Sequence, residues 1–103
     1  MAIIAKMILE FTGEAISWRG PAPFVFVPVP ADLSAQIKAI SAQATYGWGV
    51  IPAHVTIGNS RFSTSLFPKD GGYLVPVKKW VQEAENVIVD DPVNLRIEII
   101  LGR

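Results

Sequence analysis

Val50-Ile51-Pro52-Ala53-His54-Val55-Thr56-Ile57-Gly58-Asn59-Ser60-Arg61-Phe62-Ser63-Thr64-Ser65-Leu66-Phe67 is two extended runs joined by Gly58-Asn59. Glycine adopts positive φ without a Cβ clash, so Gly-Asn fits a two-residue hairpin turn of type II′. That turn sets a register: Ile57 faces Ser60, Thr56 faces Arg61, Val55 faces Phe62 and His54 faces Ser63. Side chains alternate between the faces of a strand. One face therefore collects Ala53, Val55, Phe62, Thr64 and Leu66, and the other His54, Thr56, Arg61, Ser63 and Ser65. A one-residue slip would invert the division, so the apolar set holds the register. The polar set suits an anion or a sugar; its ordinary counterpart is the solvated side of an antiparallel sheet.

Beyond the hairpin, Pro68-Lys69-Asp70-Gly71-Gly72 reads as a turn and Tyr73-Leu74-Val75 as a short strand closed by Pro76. Val77 to Glu85 suits a short helix with Trp80, Val81 and Ala84 as its apolar stripe. Val87-Ile88-Val89 is read as extended, and Asp90-Asp91-Pro92 turns the chain. Val93, Leu95, Ile97, Ile99 and Leu101 then alternate with mostly polar residues, the clearest strand in the sequence. On the N-terminal side, Lys6 to Trp18 is extended and broken at Gly13, and Arg19-Gly20-Pro21 is a turn. Phe24-Val25-Phe26-Val27 is a strand ended by Pro28 and Pro30. Leu33, Ile37 and Ile40 fall at helical spacing, predicting a helix from Asp32, its N-cap, to Gln43, with Ser34, Gln36, Lys38 and Ser41 on the polar side. Ala44 to Gly49 is a loop.

The sum is six or seven short strands and two short helices in one domain, residues 1–103. The fold class is mainly β, a small barrel or strongly curled sheet with a helix capping an open end.

Composition narrows the function classes. Half of the 103 residues are apolar, enough for a core, and nine basic residues balance nine acidic ones. Zero net charge disfavours extended nucleic-acid binding, which needs surplus cations. With no cysteine there is no disulfide or thiolate chemistry, and with one histidine no His-rich metal site. The apolar N-terminus is interrupted by Lys6 and Glu10, unlike a signal peptide or membrane span. A soluble, cytoplasmic protein without cofactor is the expectation.

The candidate ligand-binding residues are Trp48, His54, Arg61, Ser63, Ser65, Lys69, Tyr73 and Lys78, with Trp18 as a further wall. The Lys69 turn could hold an anion through backbone N–H groups, although the spacing of a P-loop is absent. Solvent-exposed turns use the same residues. Arg61, Lys69, Lys78 and Lys79 precede Glu83, Glu85, Asp90 and Asp91, so a basic patch beside an acidic one could steer an anion or support self-association. Trp18, Tyr46 and Trp48 could stack on a planar ligand or plug a barrel end. His54 with Ser63 or Ser65 would be a base–nucleophile pair, but no third group and no nucleophile elbow is evident.

The succession Trp18…Pro23-Phe24-Val25…Pro30, helix, Tyr46-Gly47-Trp48-Gly49, Val55-Thr56-Ile57-Gly58, Ser65-Leu66-Phe67-Pro68-Lys69, Gly72-Tyr73…Pro76-Val77-Lys78 resembles a small bacterial family of domains of unknown function. Members occur alone or fused to an OmpD-associated (bacteriocin-protection-like) domain. The resemblance implies a double-split β-barrel, a fold shared with some DNA-binding dimers, and no assigned chemistry. Asp90-Asp91 stands where the family usually has Gly-Asp; aspartate tolerates a left-handed conformation, so the turn can survive.

Four functions are ranked on this basis. A non-enzymatic binding module for a small polar or anionic ligand comes first. A protein-interaction or dimerisation domain, with an exposed apolar patch around the first strand, comes second. A DNA-binding dimer rests on fold analogy alone, and an enzyme comes last because no acid/base pair convinces.

Overall fold

The computed structural model describes residues 5–18, 24–44 and 50–101. Among these the chain forms β1 (Ala5–Glu14), β2 (Ile16–Trp18), β3 (Phe24–Pro28), α1 (Ala31–Ala44), β4 (Ile51–Ile57), β5 (Ser60–Lys69), β6 (Gly72–Val77), α2 (Lys79–Ala84) and β7 (Pro92–Leu101). The strands make one antiparallel sheet in the order β1-β7-β4-β5-β6-β3-β2. Its two edges, β1 and β2, are consecutive in the chain and separated only by Ala15. The sheet must therefore curl until its edges approach one another, and the result is barrel-like.

The hairpin register is the one the turn dictates, with Ile57 on Ser60, Thr56 on Arg61, Val55 on Phe62 and His54 on Ser63. Gly58 alone of the two turn residues has positive φ, as type II′ requires. Ala53, Val55, Phe62 and Leu66 are buried, while Arg61, Ser63 and Ser65 are exposed. The interior of the curl is filled by Val27, Ile51, Val55, Leu66, Val75, Ile97 and Ile99, all fully buried. Helix α1 lies against β4, β6 and β7 and inserts Ile37 into this core, with Leu33 and Ile40 half-buried beside it.

Several local expectations are corrected. The first strand breaks at Ala15, where the backbone leaves β1 to exchange hydrogen bonds with Asp90 and Asp91. Gly13 instead permits a close approach: a Cβ there would lie 2.6 Å from Val27 Cγ1 and 3.0 Å from the Pro28 carbonyl. Helix α1 starts at Ala31, so Asp32 sits in its first turn, near the positive end of the dipole. Ser34 is buried and donates to the Val29 carbonyl at 3.2 Å. Helix α2 starts only at Lys79 because Lys78 is still extended. In α2, Val81 alone is buried; Trp80 is half exposed, its ring edge-on to Phe62. Residues 87–89 join no strand: Val87 and Ile88 have no regular structure, Val89 enters a turn, and the Val87 N–H donates to the Gln82 carbonyl at 3.0 Å. Asp90 has φ of 75°, the left-handed conformation its place in the chain calls for. The Arg19-Gly20-Pro21 turn and the loop after Ala44, up to Gly49, lie outside the described residues.

Pro76 lies inside β6 and does not end it. Its carbonyl accepts the Thr64 hydroxyl of β5 at 3.3 Å, so its backbone nitrogen faces β5 as well. Proline has no N–H to offer there. The β5–β6 ladder accordingly stops at Phe67 and Leu74, and the strands fork. Strand β5 pairs with β4 over Ser60 to Leu66 and with β6 only over Phe67 to Lys69.

Candidate functional site

The eight sequence-derived candidates separate into distinct places. His54, Arg61, Ser63 and Ser65 share the outer face of β4 and β5, where β7 adds Arg96 and Glu98. His54 stands opposite Ser63 on one side and Glu98 on the other; Ser63 Oγ and His54 Nδ1 are 3.2 Å apart. Glu98, its side chain only 15% exposed, is the hub of this face. Its carboxylate takes Arg61 Nη2 at 3.2 Å, Arg96 Nε at 3.7 Å and Lys6 Nζ at 3.9 Å, and Arg96 reaches Glu10 at 4.0 Å. The Arg61 guanidinium is thus already engaged by a carboxylate.

Nothing in the local sequence signals Glu98 as that partner, because β7 reaches β4 only through the tertiary fold. Ser63, His54 and Glu98 form a cross-strand row, yet the Glu98 carboxylate faces three cations. From His54 to Thr56 the backbone of β4 is laddered on both sides, so its N–H groups there offer little to a developing oxyanion. The depression over this row has a volume of about 110 Å³. That holds a few waters and falls short of the 300–1,000 Å³ or so of organic ligand sites.

Lys69 and Tyr73 belong to a second place, the β5–β6 turn. Asp70 and Gly71 both have positive φ, 52° and 81°, which makes the two-residue turn type I′. The turn, Pro28-Val29 and the start of α1 enclose a cleft of about 380 Å³. Its polar groups are largely engaged: Ser34 donates to Val29, and the Val29 N–H donates to the Tyr73 carbonyl at 2.9 Å. The Tyr73 ring is buried, and burial raises its phenol pKa above the usual value.

Lys78 belongs to a third place, the mouth of the β5–β6 fork. Here Phe24, Thr64, Pro76, Val77, Lys78, Lys79 and Gln82 line a cleft of about 520 Å³. The β5 side contributes Thr64, whose hydroxyl bridges the fork. The β6 side contributes Pro76 and Val77, and α2 contributes Lys79 and Gln82. The Gln82 amide is held against the Val77 carbonyl at 2.9 Å. Phe24 is 55% exposed, its ring tilted against Phe26 at 6.2 Å. Both lysines are exposed, and no carboxylate pairs with either among the described residues.

Of the residues lining this cleft the sequence reading singled out Lys78 as a ligand contact and Lys79 only as part of a basic patch; it missed Phe24, Thr64, Pro76, Val77 and Gln82. Two weak signals existed: adjacent lysines after Pro76-Val77, and a phenylalanine at the outer end of its strand. Trp48 lies outside the described residues, as does the Trp18 side chain. Among the described residues no group of three His, Asp or Glu side chains could hold a metal, and no helix is long and apolar enough to cross a membrane.

Residues 11–97 match the model of a family described as a domain of unknown function (DUF1905). No curated protein and no solved structure gives a match.

Proposed function

The chain belongs to the DUF1905 family, its model covering most of the sequence, and we propose that it is a non-enzymatic binding module for a small amphipathic anion held in the β5–β6 fork. One observation carries this reading: an apolar-walled cleft of about 520 Å³ whose mouth holds two lysines that no carboxylate among the described residues pairs with. Its size lies within the range of roughly 300–1,000 Å³ of small-molecule sites. Pro76, Val77 and the exposed Phe24 ring offer an apolar slot. Lys78 and Lys79 offer charge at its rim, and Thr64 offers a hydroxyl. An aromatic or short-chain carboxylate matches that layout, with its apolar body in the fork and its carboxylate at the lysines.

Of the residues first singled out, Lys78 then contacts the ligand. Arg61, His54, Ser63 and Ser65 form the structural outer face, and Lys69 and Tyr73 the neighbouring hairpin. The double-split barrel implied by the resemblance belongs to the same proposal: the fork would be one split and the Ala15 break the other.

A thermal-shift screen tests the reading with aromatic and short acyl carboxylates, and with nucleotides and sugar phosphates as contrast. A ligand at about 100 times its Kd adds ~2.7 kcal/mol. For a domain of this size that is a shift of ~10 °C or more. Carboxylates are expected to shift the transition, and Lys78→Ala/Lys79→Ala to remove the shift. A flat response to every carboxylate, or an unchanged shift in the double variant, overturns the proposal.

A further inference from the structure

We propose that the β1 edge is a self-association surface, on which β1 of a second copy of this chain pairs antiparallel about a two-fold axis at Ile8. The inference uses none of the fork residues and stands or falls separately from the ligand reading. Strand β1 is ten residues long and hydrogen-bonds to β7 on one side. Among the described residues no strand pairs with its other side, and only its far end, at Gly13, is approached by β3. A long unpaired edge is a template for another strand. Ile8, in its middle, is 46% exposed, among the largest apolar side chains on the surface.

Side-chain alternation restricts the register. The inner face of one copy must continue the inner face of the other, so a residue pairs only with one that shares its face. Setting Ile8 against Ile8 of the second copy then places Lys6 against Glu10, and by symmetry Glu10 against Lys6. The same register puts Met7 against Leu9 on the inner face. The neighbouring allowed registers set Lys6 against Ile8, or Ile8 against Glu10, and lose both charge pairs. Lys6 and Glu10 are more than half exposed and only loosely engaged, at 3.9 Å from Glu98 and 4.0 Å from Arg96. A lysine in mid-edge repels most foreign strands. Glu10 of a second copy neutralises it, so the edge is selective for its own kind.

Sedimentation velocity on the full chain, over a wide concentration range, reads the association directly. The wild type is expected to dimerise. Lys6→Glu and Glu10→Lys each place like charges opposite one another at both pairs and are expected to weaken dimerisation by roughly tenfold or more. Mixing the two variants pairs Glu with Lys throughout, so the mixture is expected to recover the dimer that neither forms alone. Circular dichroism checks that each variant is folded. A wild type that stays monomeric at the highest concentration overturns the proposal and leaves the edge to a strand of another protein. So does a Glu10→Lys variant that dimerises as well as the wild type, or a mixture that fails to recover a lost dimer.

Discussion

The outer face of β1, β7, β4 and β5 and the fork between β5 and β6 both carry cations, and they end in opposite electrostatic states. On the face, Lys6, Arg61 and Arg96 converge on Glu98, and the strand ladder holds every participant in register. In the fork, Lys78 and Lys79 stand over apolar walls without a carboxylate partner among the described residues. A polar surface whose groups saturate one another has little left for a ligand, however rich in hydroxyls and charge it looks in the sequence. A modest, mostly apolar cleft with uncompensated charge at its rim has more to offer. Regular strand pairing creates the first condition, and an interrupted ladder creates the second.

The contrast can be broken most severely at Ile97, a fully buried residue of β7 beneath the charged face. Ile97→Ala is expected to cost about 2–5 kcal/mol in urea unfolding, from lost burial plus a cavity. A cost below about 1 kcal/mol would mean that β7 is not the rigid support the saturated face requires.

Next in size is Lys78→Ala/Lys79→Ala, expected to lower carboxylate affinity by about tenfold or more while moving stability by only about 0.5 kcal/mol, as for exposed side chains. Titration calorimetry and unfolding on one preparation separate the two effects. A large stability loss would make these lysines structural and erase the difference between the regions.

Glu98→Gln sharpens the comparison from the other side. It keeps the shape and removes the hub charge, leaving Lys6 and Arg61 uncompensated and Arg96 with only Glu10, at 4.0 Å. Stability should fall by about 1 kcal/mol or less, since the cations are half exposed. Phosphate binding, expected to be negligible on the wild-type face, should appear by NMR titration at His54 and Ser63. A face that binds phosphate equally well before and after the change was never saturated.

The smallest effect is expected at Asp90→Gly. Asp90 has φ of 75° and holds the Ala15 break through its N–H. Glycine adopts this φ without strain, so stability should rise by a few tenths of a kcal/mol to about 1 kcal/mol, less the entropy of a freer unfolded chain. A rise in melting temperature checks the sign; a fall would show that the aspartate makes a contact worth more than its strain.

Much of the fold was legible because it is written at short range. The Gly58-Asn59 turn and the alternation of its arms determine which residues face inward, and the structure keeps that register residue for residue. The Leu33-Ile37-Ile40 spacing places α1 within a residue of each end, and the alternation from Val93 to Leu101 gives β7. Misreadings clustered where a distant segment decides. Ser34 looked like a polar-face residue, but β6 and the Val29 carbonyl make it an interior one. Trp80 looked like a core anchor, but α2 is short and turns only Val81 inward. Gly13 looked like a break, but it is a point of contact with β3.

The candidate site divides along the same line. That His54, Arg61, Ser63 and Ser65 share a face was determined by the sequence alone, since a strand's alternation and a two-residue turn leave no other arrangement. That this face is neutralised was decided only by the tertiary structure, which slots β7 between β1 and β4 and brings Glu98 to Arg61 across 37 residues of chain. The fork was decided there too. Pro76 can be seen in the sequence to lack a donor, but only the packed sheet shows that the missing N–H faces β5. Turns and alternation are properties of neighbouring residues and survive in any fold that contains them. Which strands become neighbours follows from how the whole chain buries its apolar surface, and no local segment encodes it.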